Sequence, residues 1–445
     1  MTKTYWVETL GCPKNHVDSD KVTGQLQRDG YEEASSPEFA DLVVVNTCAF
    51  IDEARQESID VILDLADRKT NQSRLVVTGC MAERYGDELA EALPEVDLVA
   101  GFGESLTERV PVTLGKRSHG VRTSELLELP RSGRNGPWSY LKVAEGCDRI
   151  CGFCAIPSFR GPQQSRTVAS LLDEVAALTA ASSTPLREVV LIAQDLASFG
   201  RDRSAGDHRN PDDFADARPK AGTQPILDVL EALRREVAWV RLLYLYPSGL
   251  TDALIAAMID SGVAYFDLSL QHVTRPLLRA MRRFGSAELF LDRIAAIRAL
   301  APEAAFRSSF IVGYPGETEE DHDALLAFLE AAQLDWAGFF PYSPEDGTYA
   351  VDLPGQVPAD LVAERIREAR ELQDAITFAK RDELVGTRAL VLVDRPGRAR
   401  SHREAPEIDG IIIVPDHLEA GTMVEVEFVA ALGTDLEAVV VGDGQ

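Results

Sequence analysis

No run of about 18 consecutive apolar residues occurs in this 445-residue chain, which excludes an ordinary membrane-spanning helix. Cysteine is scarce. Six in so long a chain are too few for a disulfide framework and fit a reducing cytoplasm. The opening residues, MTKTYWVETLGC, lack the charged-then-apolar pattern of a secretory leader, so none is expected there. Positive charge is also short: 45 Lys and Arg stand against 72 Asp and Glu, a net charge of −27. That balance favours solubility and disfavours broad contact with phosphate backbones. A basic partner is easier to hold on such a surface than a nucleic acid. Residues 201–224 contain one aromatic residue and no Leu, Ile or Val. Too little apolar surface is available there to offset the entropy of ordering, and a disordered loop is expected.

What is present is a hydrophobic fraction of 45%, ample for a large core and for more than one domain. Three regimes follow one another. In residues 1–125 the short β-branched runs TYWVETL, DLVVVNT and RLVVTG alternate with amphipathic segments, which implies a parallel sheet covered by helices. In residues 126–377 six further strands are expected, at YLKVAE, EVVLIAQ, VRLLYLYP, YFDLSLQ, FRSSFIVG and WAGFFPYS, with helical patterns between them. Six strand–helix units suggest a partial (βα)6 barrel, an incomplete relative of the eightfold one. In residues 378–445 strands are separated by turns without helices, which suggests a small antiparallel β-barrel.

The cysteines fall into two groups of three. Cys12, Cys48 and Cys80 each follow directly on an expected strand, in VETLGC, VVVNTC and LVVTGC. Strand ends of a parallel sheet share one edge, where ligands bind, so three residues far apart in sequence are expected to meet there. A buried small hydrophobe is the bland alternative for any one of them. Cys147, Cys151 and Cys154 are spaced C-x3-C-x2-C in AEGCDRICGFCAIP, which brings their sulfurs onto one loop. Structural zinc wants four ligands, usually as separated pairs, and no fourth Cys or His lies nearby. An iron–sulfur cubane also normally takes four thiolates; with three, one iron is left to bind a substrate.

C-x3-C-x2-C after the first strand of a six-unit barrel resembles the radical S-adenosylmethionine (SAM) enzymes. The resemblance implies that the open iron chelates SAM and that the reduced cluster splits it to a 5′-deoxyadenosyl radical. TLGCPKNHVDSD, VVVNTCAFIDEA and VVTGCMAERY resemble the N-terminal domain of the methylthiotransferases, in which three cysteines hold a second, auxiliary [4Fe–4S] cluster. The terminal barrel resembles a TRAM domain. Metal ligands implied by the resemblance are therefore Cys12, Cys48 and Cys80 for one cluster, and Cys147, Cys151 and Cys154 for the other.

Further site residues come from the same resemblance. Gln194 and Asp195 end the second barrel strand, where they can meet the SAM amino group or ribose; Asp195 can equally cap a helix. Arg307 suits a carboxylate, with Ser309 near it, and the Gly313 to Gly316 turn lets backbone approach adenine. Phe153 packs on adenine or shields the cluster. No residue is assigned a catalytic acid–base role. LQH, with Gln271 and His272, resembles the protein-modifying branch, although Ser269 stands where that branch has Pro, and residues 201–224 exceed the usual loop length.

Methylthiotransferases act on a tRNA adenosine or on an aspartate of ribosomal protein uS12. From Leu384 to Gln445 there are five Arg, no Lys and eleven Asp and Glu, a net −6. A tRNA-binding barrel should be basic, whereas an acidic one suits a basic ribosomal protein. SHREAPEIDG, CAIPSFRG and SPEDGTYA also resemble the ribosomal-protein branch. The expectation is aspartate β-methylthiolation of uS12, free or within the small ribosomal subunit. Electrons would come from a donor such as flavodoxin or ferredoxin, without a membrane and without dominant nucleic-acid binding. tRNA methylthiolation, a two-cluster electron carrier and a zinc-dependent RNA-binding adaptor are the competing readings.

Overall fold

Val, Leu and Thr crowd the strands of the first sheet because both of its faces are covered. The computed structural model describes residues 2–70, 72–101, 127–133, 136–204 and 224–442. The chain divides into two compact units: residues 1–134, 142–148 and 155–181 form the first, and residues 135–141, 149–154 and 182–445 the second. In the first unit, β1 (Thr4–Thr9), β2 (Glu32–Glu33), β3 (Leu42–Thr47), β4 (Arg74–Gly79) and β5 (Leu98–Val99) form one parallel sheet in the order β2-β1-β3-β4-β5. All six residues of the central β3 are buried. One face packs Val43, Val45, Leu75 and Val77 against Ile62, Leu65, Met81 and Leu89. The other packs Tyr5, Leu42, Val44 and Val76 against Leu26. The connecting helices are α1 (Pro13–Arg28), α2 (Asp52–Arg68) and α3 (Cys80–Ala92). Pro13 suits the first turn of α1, where its missing N–H would be unbonded in any case. The edges β2 and β5 are two residues each, too short to leave a periodic signature. Later in the chain β6 (Trp138–Lys142) is followed by β7 (Ala144–Glu145), which pairs antiparallel with β8 (Gln164–Ser165) inside the first unit.

The second unit holds the six expected barrel strands. β6, β9 (Glu188–Ile192) and β10 (Trp239–Leu242) form one sheet; β11 (Tyr265–Gln271), β12 (Ala305–Val312) and β13 (Trp336–Pro341) form another. A parallel bridge between Leu245 and Leu268 joins the two, giving a partial barrel of six strands. The helices Asp252–Asp260, Ala287–Leu300 and Glu319–Ala332 follow β10, β11 and β12. The last begins with a capping box, in which Thr318 and Asp321 satisfy each other's backbone N–H groups. The expected disordered loop 201–224 opens instead with a helical turn, Arg201–Ser204, and residues 205–223 lie outside the described residues.

β14 (Arg388–Arg395), β15 (Arg398–Arg400), β16 (Ile412–Ile413), β17 (Met423–Leu432) and β18 (Asp435–Val440) close into a barrel in the order β14-β15-β16-β18-β17. It is filled by Val391, Val393, Ile412, Val426, Phe428 and Leu436. The expected all-antiparallel barrel needs one correction. β16 and β18 run parallel, because β18 forms a hairpin with β17 and closes the barrel in the same direction as β16. Buried ion pairs tie elements within this unit. Glu188 accepts from Arg241 and Arg400, both at 2.7 Å, and Arg400 also grips Asp394 through bonds of 2.7 and 2.8 Å.

Candidate metal centre

Cys12, Cys48 and Cys80 stand at the same edge of the first sheet, as their strand-end positions imply. Cys12 precedes α1, Cys48 follows β3, and Cys80 is the first residue of α3. Two glycines shape the turns. Gly11 has φ +92°, and a Cβ there would lie 2.8 Å from the Cβ of Cys48. Gly79 has φ +93°, and a Cβ there would lie 2.3 Å from Asn46 Oδ1. Only glycine takes both conformations without strain. Asn15 clamps the strand ends by donating to the carbonyls of Leu10 (2.7 Å) and Thr47 (3.0 Å). Ser58 Oγ bonds both the N–H and the carbonyl of Cys48.

Burial, helped by the nearby Cys80 and Cys12, pushes the Cys48 thiol up to about 12. Burial likewise raises Cys80. Such thiols stay protonated by themselves, and a cationic metal core removes that obstacle by supplying compensating charge. Among the described residues no three His, Cys, Asp or Glu form a group that could hold a single metal ion. The ligands of a cubane bind different irons and need not converge on one point.

Under this edge lies a buried polar network that the sequence reading missed. Arg160, the last residue of the short helix Ile156–Arg160, donates through Nη2 to Cys80 Sγ (2.9 Å) and to Asn15 Oδ1 (3.0 Å). Its Nη1 donates to Asp18 (3.1 Å) and Glu145 (2.9 Å). Lys142 binds Asp18 at 2.6 Å and also pairs with Glu145. Burial works against these charges, but Arg160 and Lys142 hold Glu145 down at about 2. For Arg160 itself burial is outweighed by Cys80, Glu145 and Asp18, which keep its pKa well above the ordinary value. Residues 15, 18, 80, 142, 145 and 160 are scattered through the chain, so no spacing announces the network. The Asn15–Asp18 interval in GCPKNHVDSD, one helical turn beyond Cys12, is the sole local signal.

Of the C-x3-C-x2-C cysteines, Cys147 is buried and Cys151 and Cys154 are half-buried. In the first unit, the N–H of Cys147 donates to the Gly161 carbonyl at 3.0 Å. Gly146 beside it has φ +77°, and a Cβ there would lie 2.3 Å from the Pro162 carbonyl oxygen. In the second unit, Cys151 Sγ accepts from Arg283 at 3.4 Å. Gly152 is bracketed by the carbonyl of Met281 and the N–H of Ala350, at 2.9 and 2.8 Å.

The remaining expected residues all lie in the second unit. Phe153 packs on Leu277, Met281, Ile311, Tyr314 and Ala350, an apolar shield beside the cysteines. Gln194 and Asp195 follow β9, as expected. The Asp195 carboxylate accepts from Arg149 Nε and Ser198 Oγ, both at 2.6 Å, while its Oδ1 is buried without a hydrogen-bond partner. Despite burial, Arg149 and Ser198 keep its pKa below the usual value. Asp195 precedes the turn Leu196–Ser198 but caps no backbone N–H with its side chain. The Arg149 and Arg283 guanidinium groups both lie over the ring of Tyr246, at 3.9 and 4.1 Å. Ser309 is half-buried in the middle of β12, opposite Gly338. Gly313 follows the end of β12 with φ +82°, and a Cβ there would meet Val362 at 2.4 Å. Its N–H donates to Glu317 at 2.6 Å. Arg307 requires a correction: it is the third of eight residues in β12, not near the strand's end, and its guanidinium pairs with Asp409 at 2.6 Å.

Residues 4–101 match the Uncharacterized protein family UPF0004, residues 141–329 the Radical SAM superfamily, and residues 385–441 a TRAM domain. A protein named ribosomal protein uS12 methylthiotransferase RimO from Moorella thermoacetica is 42% identical over 434 residues, 95% of either chain. One of the same name from Cutibacterium acnes is 37% identical over 486 residues, covering 98% of this chain and 97% of its own. Among solved structures, the radical S-adenosylmethionine methyltransferase TsrM from Kitasatospora setae is 14% identical, with a TM-score of 0.48, over 84% of this chain and 89% of that one.

Proposed function

Because the chain belongs to the ribosomal protein uS12 methylthiotransferase RimO family, we propose that it is a radical SAM enzyme that methylthiolates the β-carbon of a uS12 aspartate. The observation that carries this is the gathering of Cys12, Cys48 and Cys80 at one sheet edge, in a chain that also has the C-x3-C-x2-C loop. Cys147, Cys151 and Cys154 would hold one [4Fe–4S] cluster with an iron open to SAM, and Cys12, Cys48 and Cys80 the auxiliary [4Fe–4S] cluster. When bound, these groups supply the one-electron chemistry and the sulfur that an unactivated carbon requires, since that carbon is neither acidic nor electrophilic.

The protein's own residues bind and orient. Arg160, itself held by Asn15 Oδ1, donates to the sulfur of Cys80, and Ser58 holds the backbone of Cys48. Phe153 and its apolar neighbours give the cysteine loop one apolar side. Asp195, braced by Arg149 and Ser198, presents its unpartnered Oδ1 to a donor such as an ammonium or ribose hydroxyl. With Phe153, Gln194, Ser309 and Gly313 it is proposed to contact SAM. Arg307 is left out, because Asp409 already occupies its guanidinium.

The proposed domain limits are 1–125, 126–377 and 378–445, and the three matched ranges fall within them. The proposed setting is the cytoplasm, with flavodoxin or ferredoxin as electron donor. Among the described residues no helix is long and apolar enough to cross a membrane. The relatives' names do not favour the tRNA alternative. Mass spectrometry after anaerobic reaction with SAM, reductant and sulfide tests the reading, with small ribosomal subunits and bulk tRNA offered together. A methylthio group on a uS12 aspartate is expected. One on a tRNA adenosine would overturn the substrate assignment.

A further inference from the structure

Arg160 is placed to do more than fill a hole. Its residue is 4% exposed, and the guanidinium joins Asp18, Glu145 and Asn15 to the sulfur of Cys80. Arg160 and Lys142 are two cations facing two carboxylates, Asp18 and Glu145. The ion pairs therefore balance without the cysteine, and the 2.9 Å contact to Sγ is an additional bond that neutralisation does not require. A planar fork can hold carboxylates with one nitrogen and a sulfur with the other, whereas an ammonium is a single point of charge. In a water-excluded setting such a charge-assisted bond is strong.

We infer that Arg160 is a positioning residue of the auxiliary cluster, which raises that cluster's reduction potential by donating an N–H···S hydrogen bond to its ligand Cys80. This rests on the reading of Cys12, Cys48 and Cys80 as ligands of that cluster. Hydrogen bonds to the sulfurs and net charge around a cluster set its potential. An N–H donor withdraws electron density from the thiolate, which favours the reduced, more negative state.

The test uses the full-length chain carrying Cys147→Ala, Cys151→Ala and Cys154→Ala, so that only the auxiliary site can take up iron. After anaerobic reconstitution with iron and sulfide, iron content is measured and the midpoint potential is read by a titration followed by electron paramagnetic resonance. A parent that takes up no cluster overturns the reading of the triad, and the inference falls with it. With a loaded parent, Arg160→Gln is expected to keep its iron and to titrate at a lower potential. Arg160→Lys is expected to shift in the same direction by less, its ammonium being drawn to Asp18 and Glu145. An unchanged midpoint in iron-loaded Arg160→Gln overturns the inference. Should Arg160→Gln fail to fold or to load, Arg160→Lys decides: a lowered midpoint supports the assignment and an unchanged one overturns it. Loss of iron from both variants overturns it in favour of a purely architectural part.

Discussion

A methyl group on Gly11 would press into Cys48, at 2.8 Å from its Cβ and 2.9 Å from its sulfur, in a backbone already at φ +92°. Gly11→Ala is therefore expected to cost about 1–2 kcal/mol in backbone strain alone and to displace a thiol of the triad. A lowered melting temperature together with fewer irons per chain would show it. Removing a ligand is more selective. With two cubanes the chain should bind about eight irons, and Cys80→Ala should leave about four while the cysteine-loop cluster persists; an iron assay with visible absorption decides. His272 tests the interior of the second unit. It is fully buried, its Nδ1 accepts from the N–H of Thr274 at 3.3 Å, and burial pushes its pKa down to about 4. The folded state thus binds its proton less readily than the unfolded chain, whose histidine titrates near 6.5. Stability from the neutral ring is present above about 6.5 and is lost as pH falls toward about 4, by at most about 3 kcal/mol. Denaturation across that range should show a shallower slope in His272→Gln than in the parent. At this scale the cysteines were legible, because strand-end position and C-x3-C-x2-C spacing are local. Arg160 was not, because its four partners, Asn15, Asp18, Cys80 and Glu145, come from three separate stretches of the chain.

The elements of the second unit are held by charge as well as by apolar packing. Glu188 on β9, Arg241 on β10 and Arg400 on β15 form a triad in which every member is at most 2% exposed. Arg400→Met would leave Glu188 one cation short and free Asp394, so it is expected to cost about 3–5 kcal/mol. A lowered midpoint in urea denaturation would show it, and an unchanged midpoint would mean that water replaces the guanidinium. β-branched runs and amphipathic periods made the long strands and helices readable. The period fails for two-residue strands such as β2, β5 and β16, where no alternation can be seen. The parallel pairing of β16 with β18 depends on barrel closure, which no local pattern records.

Across the whole molecule, a net charge of −27 should steer a basic ribosomal protein toward the enzyme. Its kcat/KM on uS12 is expected to fall several-fold from low to physiological ionic strength, mainly through slower association. Steady-state kinetics across a salt series checks this, and a flat profile would remove electrostatics from substrate capture. The succession of three regimes was legible because each has its own rhythm of strands, helices and turns. The C-terminal barrel adds a constraint on how that partner is read. Its five strands close on themselves through β17 and β14, so the barrel has no full-length edge strand, although β14 before Leu392 and β18 after Glu437 reach past their short neighbours β15 and β16. An extended peptide therefore finds only those short stretches of the barrel on which to add as a strand. Most discrimination there then has to come from side chains and loop shape rather than from backbone pairing.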